Sequence, residues 1–309
     1  MTGADIAARA ARQAVIPQAS GADRAFSGFF RALMYGAIGV SLLALVTLLY
    51  DVARDGLPNL SWDFLTSFPS RIIPANSGVE SAIYGTLYLT AIGLIVAIPV
   101  GILSGIYLSE FARPRVRKVI KPILEVLAGV PTIVFGYFAL TFFTPEVLRN
   151  ALGIDVNQFN ALSAGIILGI LVIPTIATLV EDAMSAVPQS LREGSAGLGA
   201  NKVQTAIRIV FPAALSGVVA ALVLGASRAI GETVIILIAG GQQPNLSINP
   251  TESYQSMAAF IAATSRGDIP TGSIEYETIF VVGMTLFVLT LTLNLFSIRL
   301  VRKYRQVYE

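Results

Sequence analysis

The chain has 309 residues, of which 54% are hydrophobic and 13% charged, with a formal net charge of +2 at pH 7. A soluble domain usually carries nearly twice that share of charge, so this composition excludes an ordinary soluble globule and points to an integral membrane protein. Cysteine and histidine are both absent, which removes disulfides, thiolate chemistry, imidazole metal ligands and the usual general base near neutral pH. No cofactor is implied, and the near-zero charge balance argues against a nucleic-acid partner.

Residues 1–31 are Ala-rich and interrupted by Asp5, Arg9, Arg12 and Asp23. They lack the apolar stretch of a secretory signal and are expected as a tail on the cytoplasmic side. About 20 apolar residues cross a bilayer core as a helix. Six segments qualify, at 32–50, 84–109, 122–143, 161–180, 209–240 and 278–298. The expected fold is therefore an all-α integral membrane protein with six transmembrane helices. Residues 32–83 hold the first helix and an outer loop, and 84–309 the remaining transmembrane domain. The run Met257–Ala263 is too short to cross and is expected at the outer ends of the helices. Asp51, Asp55, Asp63 and Glu80 read as solvated loop charges.

Lys and Arg placement orients the spans. Sixteen of the 21 basic residues fall in the segments on the side of the N-terminus, and Arg54, Arg71, Arg149 and Arg266 fall on the other. Such a bias marks the cytoplasmic face, so both termini of this multi-pass chain are expected there.

Gly101 and Gly105, like Gly165 and Gly169, stand one helical turn apart, a spacing that lets neighbouring backbones approach closely. Pro99, Pro131 and Pro174 interrupt three spans, consistent with kinks and tight packing or with broken helices along a path. The fifth segment, at 32 residues, would be about 48 Å long as one helix against a hydrocarbon core of about 30 Å. It must tilt, break or project, and Gly225, Gly231, Gly240 and Gly241 are candidate break points.

The longest polar stretch between spans is 181–212. Gly194 and Gly199 suggest a phosphate-binding loop, but Ala200 and Asn201 stand where a lysine and a hydroxyl residue are required, so nucleotide binding by this chain is rejected. A helix–turn–helix remains: one helix starts around Pro188 and ends near Gly197–Gly199, and a second is capped by Asn201. "EGSAGLGANKVQTAIRIVFP" resembles the EAA motif of ABC-importer membrane subunits. Glu193, Gly194 and Ser195 stand at its E-A-A, Gly199 follows, and Ile209 and Pro212 close it. That resemblance implies an ABC-importer (type I) permease core whose hairpin docks into a separate ATPase subunit.

"AGVPTIVFG" and "RAIGET" further resemble the membrane subunits of the bacterial high-affinity phosphate importer, over about residues 56–309. "GLPNLSWDFLTSFPSR" (56–71) and the ending "RLVRKYRQVYE" resemble its PstA type, whereas "GDIPTGSIEYETIF" also suits PstC; the PstA type is expected. The family implies a second homologous permease subunit, two copies of an ABC ATPase subunit and an extracytoplasmic phosphate-binding protein as partners. The chain itself is then expected to have no catalytic site.

Arg228 and Glu232 stand four residues apart inside the fifth span. By insertion scales each charge costs roughly 2.5–3.5 kcal/mol at a helix centre, so both need a reason. On an unbroken helix they share one face and pair to fix packing, or Arg228 meets an oxyanion in transit while Glu232 holds its guanidinium between passages, with Thr233 adding a hydroxyl. A secondary transporter is the main rival, but no internal repeat is evident and Glu232 is the only deep carboxylate. A membrane enzyme would need a convergent catalytic set that the sequence lacks.

Overall fold

The computed structural model describes residues 21–69, 78–267, 270 and 272–304. Among them all regular structure is helical, and they fall into two units divided between Asp51 and Val52. Residues 1–20 and Arg71 lie outside the described residues, as do the side chains of Arg24, Arg302, Lys303 and Arg305.

Helix α1 (Gly21–Gly56) starts inside the stretch expected as tail. In the first unit its apolar side chains are exposed around the whole circumference, from Phe26 to Tyr50. A helix that is hydrophobic on every side is at home in lipid rather than water.

The centre of the second unit is the pair α2 (Glu80–Ile106) and α5 (Ala161–Ser185). Their seam runs along the glycines expected to allow close approach. A Cβ on Gly101 would sit 2.7 Å from Ile176 Cβ, one on Gly105 2.6 Å from Val180 Cβ, and one on Gly169 2.6 Å from the Gly93 carbonyl oxygen. The glycines are therefore what lets the two backbones touch. Leu168, Leu171, Val172, Ile176 and Val180 are fully buried, so α5 is the core helix of the bundle.

Two expected spans are bent. Instead of one helix over 122–143, α3 (Pro114–Gly129) and α4 (Thr132–Phe138, extended in π geometry through Ala151) meet at 87°. Val130 and Pro131 between them are extended, because the proline ring disfavours helical geometry at the residue before it. α3 turns Val119, Ile123 and Val126 outward and is amphipathic rather than uniformly apolar. The segment expected over 209–240 is in three pieces. Lys202–Ala213, opened by α7 (Lys202–Thr205), meets α8 (Leu215–Ile230) at 72°. α8 stops at Gly231, and a short π turn, Ile236–Gly240, ends at Gly241 with φ +90°. With each bent pair counted as one span, the described residues supply up to six crossings.

On the outer side α9 (Met257–Thr264) packs against α10 (Ile274–Tyr304) and, at 8 residues, does not cross. The loop 242–256 is held by three tyrosines. Tyr84 and Tyr254 donate to the Ser247 carbonyl at 2.9 and 2.6 Å, and Tyr88 to that of Ile248 at 2.6 Å. The amides of Asn245 and Asn249 donate to Glu252 at 2.8 and 3.0 Å and hold its carboxyl below the usual carboxylate range. The loop in turn lends the carbonyls of Glu252 and Pro250 to the amides of Ala161 and Leu162. That satisfies donors a helix start leaves unpaired, so α5 is pinned at its outer end.

Candidate functional site: a hairpin beyond α5 and a buried arginine

α5 runs on through Ala186–Pro188 into α6 (Gln189–Gly197). Pro188 is the N-cap, as its fixed φ suits, and Gly199 reverses the chain at φ +85°. Asn201 then closes a capping box with Gln204, the two side-chain-to-backbone bonds both 2.9 Å. Ser195 Oγ and Thr205 Oγ1, both buried, lie 2.9 Å apart and join the two limbs. Glu193, Gly194 and Ile209 are exposed, Leu198 at the tip is 92% exposed, and Pro212 sits at the 72° bend. The result is a stiff hairpin with an apolar tip. Since a Cβ on Gly199 would meet nothing within 4 Å, substitution there is opposed by backbone geometry alone. Gly199→Val is expected to loosen the hairpin by about 1–2 kcal/mol and Gly199→Asn by less, read as faster amide hydrogen exchange at Ala200 and Gln204.

Arg192 anchors the hairpin. Its Nη2 lies 2.8 Å from Glu110 Oε1 and also donates to the Met184 carbonyl at 2.8 Å, while Nη1 donates to that of Val187 at 2.5 Å. Glu110 belongs to the π turn Tyr107–Phe111 that ends α2. Next to it, the Lys202 ammonium stands 5.6 Å from the centre of the Phe111 ring. A second cluster ties α3 to α5. Arg117 is paired with the fully buried Glu181, its Nε donating to Oε1 at 2.6 Å, and Lys121 Nζ lies 3.2 Å from Glu181 and 3.1 Å from Asp182.

Arg228 lies in the last turn of α8, where the helix dipole favours a cation. It is partly buried, and its Nη1 donates to Thr175 Oγ1 at 3.0 Å, on α5 beside Pro174. Glu232 is 8% exposed and does not share a helix face with Arg228, because α8 breaks between them. Its Oε1 instead accepts from the amides of Val234 and Ile235 at 3.0 and 3.2 Å, capping the next turn. Thr233 donates to the Gly231 carbonyl. An always-charged fork that donates to a neutral hydroxyl is suited to an anion that arrives with its own oxygens. A cavity of about 470 Å³ is lined by Leu237 together with Asn157, Gln158, Gln242, Gln243 and Ser253.

The hairpin residues named from sequence thus stand together, while Arg228 and Glu232 are near in sequence but separately engaged. Glu110, Arg192 and Thr175 were not singled out. A carboxylate closing an apolar span just before a run of arginines was the available signal for Glu110; Thr175 carried none.

The family of binding-protein-dependent transport system inner membrane components matches residues 97–306. Among similar proteins, the probable ABC transporter permease protein YqgH of Bacillus subtilis is 32% identical over 235 residues, 76% of this chain and 73% of that one. The phosphate transport system permease protein PstC of Mesorhizobium japonicum is 27% identical over 310 residues, 92% and 91% of the two chains. PstC 1 of Mycobacterium tuberculosis is 32% identical over 253 residues, 75% and 74%. Among solved structures, a chain of the bacterial alginate ABC transporter, crystallised with an alginate-bound periplasmic protein, superposes with a TM-score of 0.67 at 18% identity, covering 94% of this chain and 100% of that one. A chain of the inward-facing MetNI methionine transporter gives 0.54 at 20% identity, with 74% and 95% covered. The PstC names overturn the PstA-type expectation. That expectation rested on an outer loop and a basic tail, and any inner terminus of such a protein tends to be basic; the segment 267–280, which also suited PstC, was the better guide. The fold is that of an ABC-importer permease core, and the chain belongs to the family of binding-protein-dependent transport system inner membrane components.

Proposed function

We propose that this chain is the PstC-type permease subunit of an ATP-driven phosphate importer. The observation that carries the reading is the likeness to PstC over nine-tenths of both chains. A partly buried arginine suited to a tetrahedral oxyanion supports it. The chain forms half of a translocation path with a second, homologous permease subunit. An extracytoplasmic phosphate-binding protein delivers the anion, and two ATPase subunits outside this chain hydrolyse ATP. Arg228 meets phosphate in transit, helped by the hydroxyl of Thr233. Glu232 shapes the break that presents the arginine and, being tied to backbone amides, leaves it free for the anion. Glu193, Gly194, Ser195 and Gly199 form the hairpin that docks on the ATPase, with Ile209 and Pro212 carrying its movement into α8.

The test is reconstitution of the four-component complex in liposomes. Labelled phosphate is expected to accumulate only with ATP and binding protein present. Accumulation driven by an ion gradient without the ATPase, or ATP-driven uptake of sulfate with phosphate excluded, overturns the reading.

A further inference from the structure

The hairpin joins α5 through only three residues, Ala186, Val187 and Pro188. A linker of that length is a pivot: unless something braces it, α6 can tilt without moving the spans. Arg192 is placed to brace it. One guanidinium holds the carbonyl of Met184 on α5, that of Val187 within the pivot, and the carboxylate of Glu110 in the turn that ends α2. Glu110 is 7% exposed and Arg192 18%, so water does little to screen or replace the pair. The other limb meets the neighbouring residue, through Lys202 and Phe111. Two consecutive residues at the end of α2 thus touch both limbs of a hairpin whose covalent neighbours are α5 and α8.

Inside the bundle, α2 and α5 are already locked by their glycine seam. That seam ends at Gly105, and beyond it the π turn Tyr107–Phe111 meets α5 through side chains, the hydroxyls of Ser109 and Ser185 lying 3.4 Å apart. Val187 and Leu191 pack against the apolar core of α5 and tie the hairpin to that helix; the clamp of Arg192 on Glu110 adds a buried ionic tie to the end of α2. The cluster of Arg117 and Lys121 with Glu181 and Asp182 lies beyond the brace and extends the same rigid body to α3.

We infer that Glu110 is a positioning residue for energy coupling: by clamping Arg192 it turns tilting of the hairpin into joint movement of α2 and α5. This rests on the importer reading above. It predicts a particular defect, in which ATP is hydrolysed but less phosphate moves.

The complete complex in liposomes tests it, with wild type alongside. In Glu110→Gln, assembly and ATP hydrolysis are expected to persist while the ATP spent per phosphate imported rises roughly tenfold, within the range of ordinary coupling energies. The chain has no cysteine of its own, so Glu110→Cys with Arg192→Cys can be bridged by a short bifunctional thiol reagent. Bridging is expected to restore the ratio towards wild type. A wild-type ratio in assembled Glu110→Gln overturns the inference, and so does a bridged double variant that stays uncoupled. Failure of every variant to assemble also overturns it, since the pair then serves folding alone. If wild type itself imports no phosphate with ATP, it is the importer reading that fails.

Discussion

Arg228→Gln is expected to lower phosphate uptake by about ten- to a hundredfold in a complex that assembles normally. The glutamine amide nitrogen ends two bonds short of the native Nη1, so the 3.0 Å bond to Thr175 is weakened as well, and assembly is measured separately for that reason. What disappears is the fixed positive charge and the two-pronged donor. A hydrogen bond to a charged group contributes about 1.5–3 kcal/mol, and each 1.4 kcal/mol is about a factor of ten. Arg228→Lys keeps the charge without the fork and is expected to fall between. Glu232→Gln is expected to be milder than either, because its oxygen can still accept from Val234 and Ile235. Uptake at limiting phosphate, normalised to assembled complex, is the measurement. Normal uptake by assembled Arg228→Gln would restrict this arginine to holding α8 in place.

Gly169→Val is expected to have the largest effect on stability. A Cβ at this position would lie 2.6 Å from the carbonyl oxygen of Gly93 and 2.9 Å from Val96 Cβ, and a backbone carbonyl inside a helix has nowhere to swing. The helices would have to separate along their whole seam. Overpacking a core costs about 1–3 kcal/mol and occasionally more, and here the contact is backbone to backbone in the most buried helix of the bundle. The thermal midpoint of the purified complex should drop by several degrees, or the yield of assembled complex should collapse. By contrast, Gly129→Val, where a Cβ meets nothing within 4 Å, is expected to leave both unchanged. Equal midpoints for Gly169→Val and wild type would show that the seam is looser than described.

Much of this was legible without coordinates because it is written in local chemistry. Hydropathy over a window of about 20 residues reports lipid contact directly, and the glycine pairs one turn apart marked where backbones come close, though not which helices would meet. Asn201 and Gln204 spell a capping box within four residues, and the positive φ of Gly199 fell where a hairpin needed it. Hydropathy alone misled where two apolar helices meet at an angle. It ran 122–143 together although Val130 and Pro131 break it; 209–240 was too long for one crossing, and of the break points that length called for Gly231 ends α8, whereas the 72° bend at Ala214 carried no glycine to mark it.

Long-range pairing was the part hidden from inspection. The four-position spacing of Arg228 and Glu232 invited an ion pair, yet a helix break redirected the carboxylate to backbone amides and left the guanidinium with Thr175, 53 positions away. Glu110 and Arg192 are 82 positions apart, and no periodicity relates them. Helical repeats, caps and charge bias act over one or two turns, so the chain spells them out in order. Which buried charge meets which partner depends on how the finished helices bend and cross, and that is settled only when the bundle packs.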